Sequence, residues 1–351
     1  MPSSKSHNAA HRQKRWVSAF DHIIPENFSG WEARWRRYLP RLRRRNYFVV
    51  PDKTVGGDAP KDFIQVYEYG VVRRSNRRNW TPYIAKAAYK WYPNESVTEH
   101  LLNRLGQVMG LNMAESKLIL AGEHIRFLSR YFLKSNEQLM HGAQIYAAYL
   151  LDDAFVQEVD RQKLESELFP FQEAERAIRQ VFPDQAENIL HEFVKLLIFD
   201  AIVGNSDRHF YNWGVILDIL GKSTPRFSPI YDTARGLLWN ESEKRLLEIE
   251  KIKGGRARFL EKYVQNSRPK IGWEGEKNIN HLRFIEKFYH EDKRFCHLCT
   301  HFLAKEHLEA MLRVLDFEFG NLFSTTRKLF IRECLEMRFE SLRLIINNSA
   351  P

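Results

Sequence analysis

VGNSDRHFYNWGVILDILG, residues 203–221, sets Asp207, Arg208, His209 and Asn212 between two apolar segments. Upstream, Ile189, Leu190, Phe193, Leu196, Leu197, Ala201 and Ile202 recur at helical spacing, and Ile198 and Phe199 widen the stripe. A stripe that wide predicts a buried helix. Asp184 with Glu187 three residues later has the form of a capping box at its start. Downstream, WGVILDIL (213–220) and RFSPIY (226–231) read as two strands around a turn at Gly221–Thr224. The hairpin returns the chain to Asp232. A polar loop between a buried helix and a hairpin is gripped at both ends.

Outward from that loop, two compositions meet. From 47 to 135 the chain is β-rich: FIQVYEYGVV (63–72), TPYIAKAA (81–88), SKLILAG (116–122) and IRFLSRYFL (125–133) are short and rich in β-branched and aromatic residues. One helix interrupts them, ESVTEHLLNRLGQVMG, with Val97, Leu101, Leu102, Leu105, Val108 and Met109 on one side and Gly110 as its stop. After 135 helices are expected at 137–151, at 171–182 and from Asn240 onward. This order predicts an α+β chain of two lobes with a cleft between them. The small β-rich N-lobe spans 47–135 and the larger, mainly helical C-lobe 136–351.

Charge is uneven. The chain of 351 residues carries a net +10, yet residues 1–50 alone hold eleven Lys/Arg against three Asp/Glu. Residues 1–46 are therefore expected as a basic, partly disordered arm. RWRRYLPRLRRRNY (34–47) interleaves arginines with aromatic rings, a composition that also suits nucleic acid, an anionic membrane or an acidic partner. The N-terminus has no apolar core of a secretory signal, and no apolar run is long enough to span a bilayer. Cys296, Cys299 and Cys334 make no disulfide framework. A cytoplasmic protein is expected. Cys296 and Cys299, with His297, His301 and His307 nearby, lack a second ligand pair at zinc spacing and read as a reduced pair. RPKIGWEGEKNINH (268–281), with Lys270, Trp273 and Lys277, reads as a surface loop, with the substrate side of the cleft as the alternative.

The polar residues match one chemistry. Phosphoryl transfer from ATP needs a carboxylate for the nucleophile's proton, oxygen ligands for Mg²⁺, a lysine on the phosphates and an acid to hold that lysine. Lys86 on a strand, Glu99 on the next helix, then Asp207, Asn212 and Asp232 supply these parts in chain order. Asp207 and Asn212 stand as D-x-x-x-x-N, the spacing of a protein-kinase catalytic loop. Glu95, one turn earlier, competes with Glu99.

GNSDRHFYNWGV followed by FSPIYDTARGL resembles the HipA-type serine/threonine kinases, which carry an N-x-D-x-H-x-x-N loop and a later Y-D in place of D-F-G. YIAK and TEHLLNRLGQVMGLNMAES are similar to that family's lysine strand and following helix. The resemblance covers about residues 80–240. It implies a protein-kinase-like fold, ATP and Mg²⁺ as cofactors and transfer to a protein Ser/Thr hydroxyl, autophosphorylation included. It implies Lys86 on the phosphates, Glu99 paired with it, Asp207 catalytic, and Asn212 and Asp232 on the metal. His209 braces the loop or moves a proton. A small helix-turn-helix antitoxin that binds DNA is the partner this family brings. D-R-H-x-x-N also looks like the loop of phosphoinositide kinases, which keeps a lipid substrate open. Nucleotidyl transfer, and nucleic-acid binding on a scaffold without catalysis, stay open beside it. One departure stands out: no G-x-G-x-x-G is present. Its expected place holds YGVVRRSNRRNW (69–80), where Gly70, Ser75 and Asn76 are the candidate phosphate cradle, assisted by Arg73, Arg74, Arg77 and Arg78.

Overall fold

The computed structural model describes residues 25–30, 33–51 and 61–347. Strands β1 (Tyr47–Val49), β2 (Lys61–Val66), β3 (Thr81–Lys86), β4 (Ser116–Ala121) and β5 (His124–Arg130) form an antiparallel sheet in the order β1-β2-β3-β5-β4. Helix α1 (Asn94–Val108) leaves β3 and packs across β4 and β5. Its Val97, Leu101, Leu102 and Leu105 are fully buried, as the spacing predicts. Successive side chains point to opposite faces of the sheet, and the inner strands are buried on both faces, as the run of five buried residues in β5 shows. Ile64, Val66, Tyr83, Ala85, Ile119 and Leu128 make a separate cluster on the face away from α1, while Lys86 points to the α1 side.

The second lobe opens with β6 (Glu137–His141) and α2 (Gly142–Leu150), followed by α3 (Asp153–Gln162), α4 (Glu165–Leu168), α5 (Phe171–Val181) and α6 (Ala186–Val203). Then come β7 (Gly214–Asp218), β8 (Arg226–Phe227), α7 (Glu243–Glu250), α8 (Gly255–Asn266), α9 (His281–Glu291), α10 (Cys296–Phe302), α11 (Lys305–Phe317) and α12 (Thr325–Asn347). Helix α6 is the axis of this lobe, packed against α5, α9, α10 and α12. Phe193, Val194, Ala201, Ile202 and Val203 on it are wholly buried. The fold is α+β and bilobal, a small sheet with one helix beside a larger, mainly helical lobe. Among the described residues no helix is long and apolar enough to cross a membrane.

Several local expectations change. The stretch 137–151 is not one helix: residues 137–141 form β6, registered antiparallel on β7 with Glu137 opposite Asp218. A partner so far along the chain overrides the local helical pattern. Strand 63–72 ends at Val66, with a turn at residues 69–72. Of RFSPIY, Arg226 and Phe227 alone form β8, and Ile230 instead bridges to Met113 of the first lobe. The capping box at Asp184 does not form; Gln185 is the N-cap and makes no side-chain capping bond.

Residues 1–24 and 31–32 of the basic arm lie outside the described residues, whereas the arginine- and aromatic-rich stretch 34–47 is described. The described part of the arm packs rather than floats. Trp35 and Leu39 are buried in the main core. The Leu42 N–H donates to Leu120 O at 2.9 Å and the Leu120 N–H to Pro40 O at 2.9 Å. Further upstream, Ser29 touches both lobes: its N–H donates to Tyr92 O at 2.8 Å, and its carbonyl accepts from the Glu243 N–H at 2.9 Å.

Candidate active site

The expected lysine and acids meet where β2, β3, α1 and the segment after β8 converge. Lys86 Nζ lies 2.6 Å from Glu99 Oε1 and 2.6 Å from Asp232 Oδ1. Lys61 Nζ, at the start of β2, lies 3.3 Å from the other oxygen, Asp232 Oδ2. The β2–β3 register sets this geometry, because Lys61 sits directly opposite Lys86. Burial alone would lower the Lys86 ammonium, but Asp232 and Glu99 outweigh it and hold it well above its usual range. Burial raises the Glu99 carboxyl to about 7 against the pull of Lys86. Burial also works against the Asp232 carboxylate, yet Lys86 and Lys61 keep it far below its usual range. Asp232 stands at φ 57°, the left-handed region that few non-glycine residues enter, and such strain collects at functional sites. Glu95 is elsewhere: its carboxylate accepts the backbone N–H groups of Tyr89 and Lys90, each at 3.1 Å.

The loop at 204–212 is held by buried groups. Gly204 ends α6 at φ 67°, and an added Cβ would come within 2.9 Å of the Arg338 guanidinium. Arg338 needs that space, since it donates to the terminal carbonyls of Ala201 and Ile202. Asp200 receives Arg208 at 2.8 and 3.1 Å and the Asn205 amide at 2.9 Å. Arg208 Nη1 donates in turn to the carbonyls of Asn212 and Tyr231, each at 2.7 Å. One buried guanidinium thus joins the helix end, the far end of the loop and the residue before Asp232. His281 of α9 completes the frame, with Nε2 3.1 Å from Asn205 O and Nδ1 2.8 Å from Ser267 Oγ.

Asp207 is half-buried, and burial raises its carboxyl, opposed by Arg235 and His209. Arg235 Nη1 lies 3.1 Å from Asp207 Oδ1. The charge of Asp232 also raises Asp207, which places the two carboxylates within electrostatic reach. Asn212 is buried and donates its side-chain N–H to Asp207 O at 2.8 Å, which leaves the carboxamide oxygen as its acceptor. His209 Nδ1 accepts the Tyr211 N–H at 3.3 Å, a contact within the loop.

Gly70, Ser75 and Asn76 are not brought to this cluster. They lie in the β2–β3 connection, which joins the Val66 and Thr81 ends of the strands. Lys86 stands five residues along β3 from that end, roughly 17 Å at strand rise. The physical reason is topological: antiparallel pairing puts the β2–β3 connection at the end of the two strands opposite Lys86. Sequence reading missed Lys61, Asp200, Arg235 and His281. For Lys61 a signal existed, the glycine pair Gly56–Gly57 shortly before a lysine; those glycines lie outside the described residues. For Asp200 and His281, buried polar residues among apolar neighbours, burial had to be seen.

Asn212 and Asp232 are the oxygen donors of this centre that suit a divalent cation. A carboxylate and an amide oxygen are hard ligands, and Mg²⁺ needs few from the protein because it keeps several waters. Among the described residues no group of three or more His, Cys, Asp and Glu could hold a metal ion. Cys296 instead donates its thiol to Tyr289 O at 3.0 Å.

Known proteins resemble this chain in fold. The Helicobacter pylori proinflammatory kinase CtkA superposes with a TM-score of 0.68 at 14% identity, covering 89% of this chain and 100% of its own. HipA of Shewanella oneidensis MR-1, solved with HipB and its operator DNA, superposes with a TM-score of 0.50 at 14% identity, covering 88% of this chain and 67% of its own. A comparison with curated proteins finds no match. The family model for the HipA-like C-terminal domain matches residues 54–291, a span that contains Lys61, Lys86, Glu99, the 204–212 loop and Asp232. This kinase-like chain belongs to the family of the HipA-like C-terminal domain.

Proposed function

We propose that the protein transfers the γ-phosphoryl group of ATP to a Ser/Thr hydroxyl of a protein. The observation that carries this reading is Lys86 held between Glu99 and Asp232, with Lys61 on the second oxygen of Asp232. Two ammonium groups on one carboxylate form a charge centre that a polyphosphate can share. Lys86 and Lys61 orient the phosphates, and Glu99 keeps Lys86 from swinging away. Asn212 and Asp232 would hold Mg²⁺, which when bound neutralises phosphate charge. Asp207 orients the acceptor hydroxyl. The hydroxyl oxygen bonds to the γ-phosphorus, the bond to the β-phosphate oxygen breaks, ADP leaves and the hydroxyl proton passes to Asp207. Most of the rate gain is positioning and electrostatics, which the buried Arg208 frame supports by fixing both ends of the loop.

Gly70, Ser75 and Asn76 have no part in this reading. His209 acts by bracing the loop. A DNA-binding antitoxin partner, by analogy with the Shewanella complex of HipA, HipB and operator DNA, is the corresponding proposal for assembly; co-purification at low salt tests it.

The deciding experiment is transfer from γ-labelled ATP with Mg²⁺, comparing the wild type with Asp207→Asn. A positioned general base contributes about 10²–10⁴-fold, so the variant should lose that much turnover while still binding ATP. Equal labelling by both proteins would overturn the role of Asp207. Label carried by α-labelled ATP instead would turn the reading to nucleotidyl transfer.

A further inference from the structure

Gly204 and Ser206, just before Asp207, also form one end of a cavity of about 700 Å³. The rest of its wall comes from Ser166 and residues 239–270, all in the second lobe. The cavity is therefore separate from the cluster where the N-lobe strands deliver Lys61 and Lys86. Arg245, Lys262, Arg268 and Lys270 line it, and no Asp or Glu does. Arg245 is paired with Glu241 at 2.9 Å. Lys262 and Lys270 form no ion pair among the described residues, although the charge of Lys270 is felt by Glu165. It is felt by Asp207 as well, which puts this cation beside the loop that serves the hydroxyl.

We propose that this groove receives an acidic stretch of the acceptor polypeptide, so that Asp and Glu side chains flanking the phosphorylated hydroxyl meet Lys262, Lys270 and Arg268. This rests on the phosphoryl-transfer reading above and gives it a substrate class. Cations that hold no ion pair, in a concave wall lined by no Asp or Glu, select carboxylates and reject basic segments. A polypeptide suits the wall better than a single-stranded nucleic acid, which needs free aromatic faces for its bases. The rings here are already engaged. The Phe259 and Tyr263 rings stack at 6.1 Å, the Tyr263 hydroxyl accepts the Leu238 N–H at 2.9 Å, and the Arg235 guanidinium covers Trp239 at 5.3 Å.

The test uses the full chain and two fluorescent peptides, each with one serine, flanked by glutamates in one and by glutamines in the other. Binding is read by anisotropy without nucleotide, and transfer is read with labelled ATP. The glutamate peptide should bind about tenfold more tightly, as several partly exposed charge pairs give together. The paired substitution Lys262→Gln with Lys270→Gln should bring that ratio close to one, with a nearly unchanged thermal midpoint, since Lys262 is exposed and the half-buried Lys270 holds no ion pair among the described residues. Equal binding of the two peptides overturns the proposal. So does an undiminished ratio in the variant, or displacement of the peptide by an RNA oligomer more readily than by unlabelled peptide. Discrimination in binding with no transfer to either peptide would sink the kinase reading and leave the groove standing.

Discussion

Arg235 Nη1 sits 3.1 Å from Asp207 Oδ1, so the carboxylate proposed to serve the acceptor hydroxyl is already held by a cation. Arg235 lowers a carboxyl that burial raises. Removing it with Arg235→Gln should let the Asp207 carboxyl rise further, and the group would then need a higher pH to ionise. The acid limb of the pH–kcat profile should move to higher pH, with the plateau reached later. A profile that overlays the wild type would show that Arg235 does not tune Asp207 during turnover.

Glu99 gives a pH dependence to stability. Its carboxyl rises from the ordinary 4.5 to about 7 on folding, because burial outweighs the Lys86 charge. A group that binds its proton more tightly when folded stabilises the chain at low pH. That contribution is lost as pH rises between those two values. At 1.36 kcal/mol per unit this amounts to at most about 3 kcal/mol. Urea midpoints measured across this window should fall with pH in the wild type and fall less in Glu99→Gln.

Arg208 and Asp200 are a buried pair, and Arg208 binds two carbonyls besides. Arg208→Met should leave the Asp200 charge uncompensated and cost about 3–5 kcal/mol in urea denaturation. Arg208→Lys should recover little, since a single ammonium cannot reproduce the planar fork.

Lys61 and the β2–β3 connection make opposite predictions. Lys61→Met should weaken ATP binding about tenfold by removing one of two ammonium groups from the Asp232 centre, a loss of the size expected for a charged hydrogen bond. Ser75→Ala should leave the affinity within error, because that connection lies at the far end of the strands. Calorimetric titration of both variants checks the pair.

The helix bearing the loop, its Asp207–Asn212 spacing and the Lys86 strand were readable because each is written in a local period or a short offset. Lys61 was not, because its meaning depends on a partner 171 residues away. β6 was misread as helix for the same reason: its apolar residues suit either period, and pairing with β7 decided. Glycine and polar residues cluster after β2, and that composition alone suggests a phosphate cradle there. Only the direction in which β2 and β3 run shows that this turn faces away from Lys86. Composition described the arm as charged, and that was correct, but charge does not reveal that Trp35 and Leu39 anchor it in the core.

Ser29 binds Tyr92 on one side and Glu243 on the other, and its neighbourhood continues through Arg327, which pairs with Glu243. Asn94, at the start of α1, adds a bond to Trp239 O at 2.6 Å. A chain crossing once between its lobes can swing like a door. Here a second strap, from the N-terminal arm, is riveted across the same gap, so the two halves should breathe as a clasped book does, over a short arc about a fixed spine.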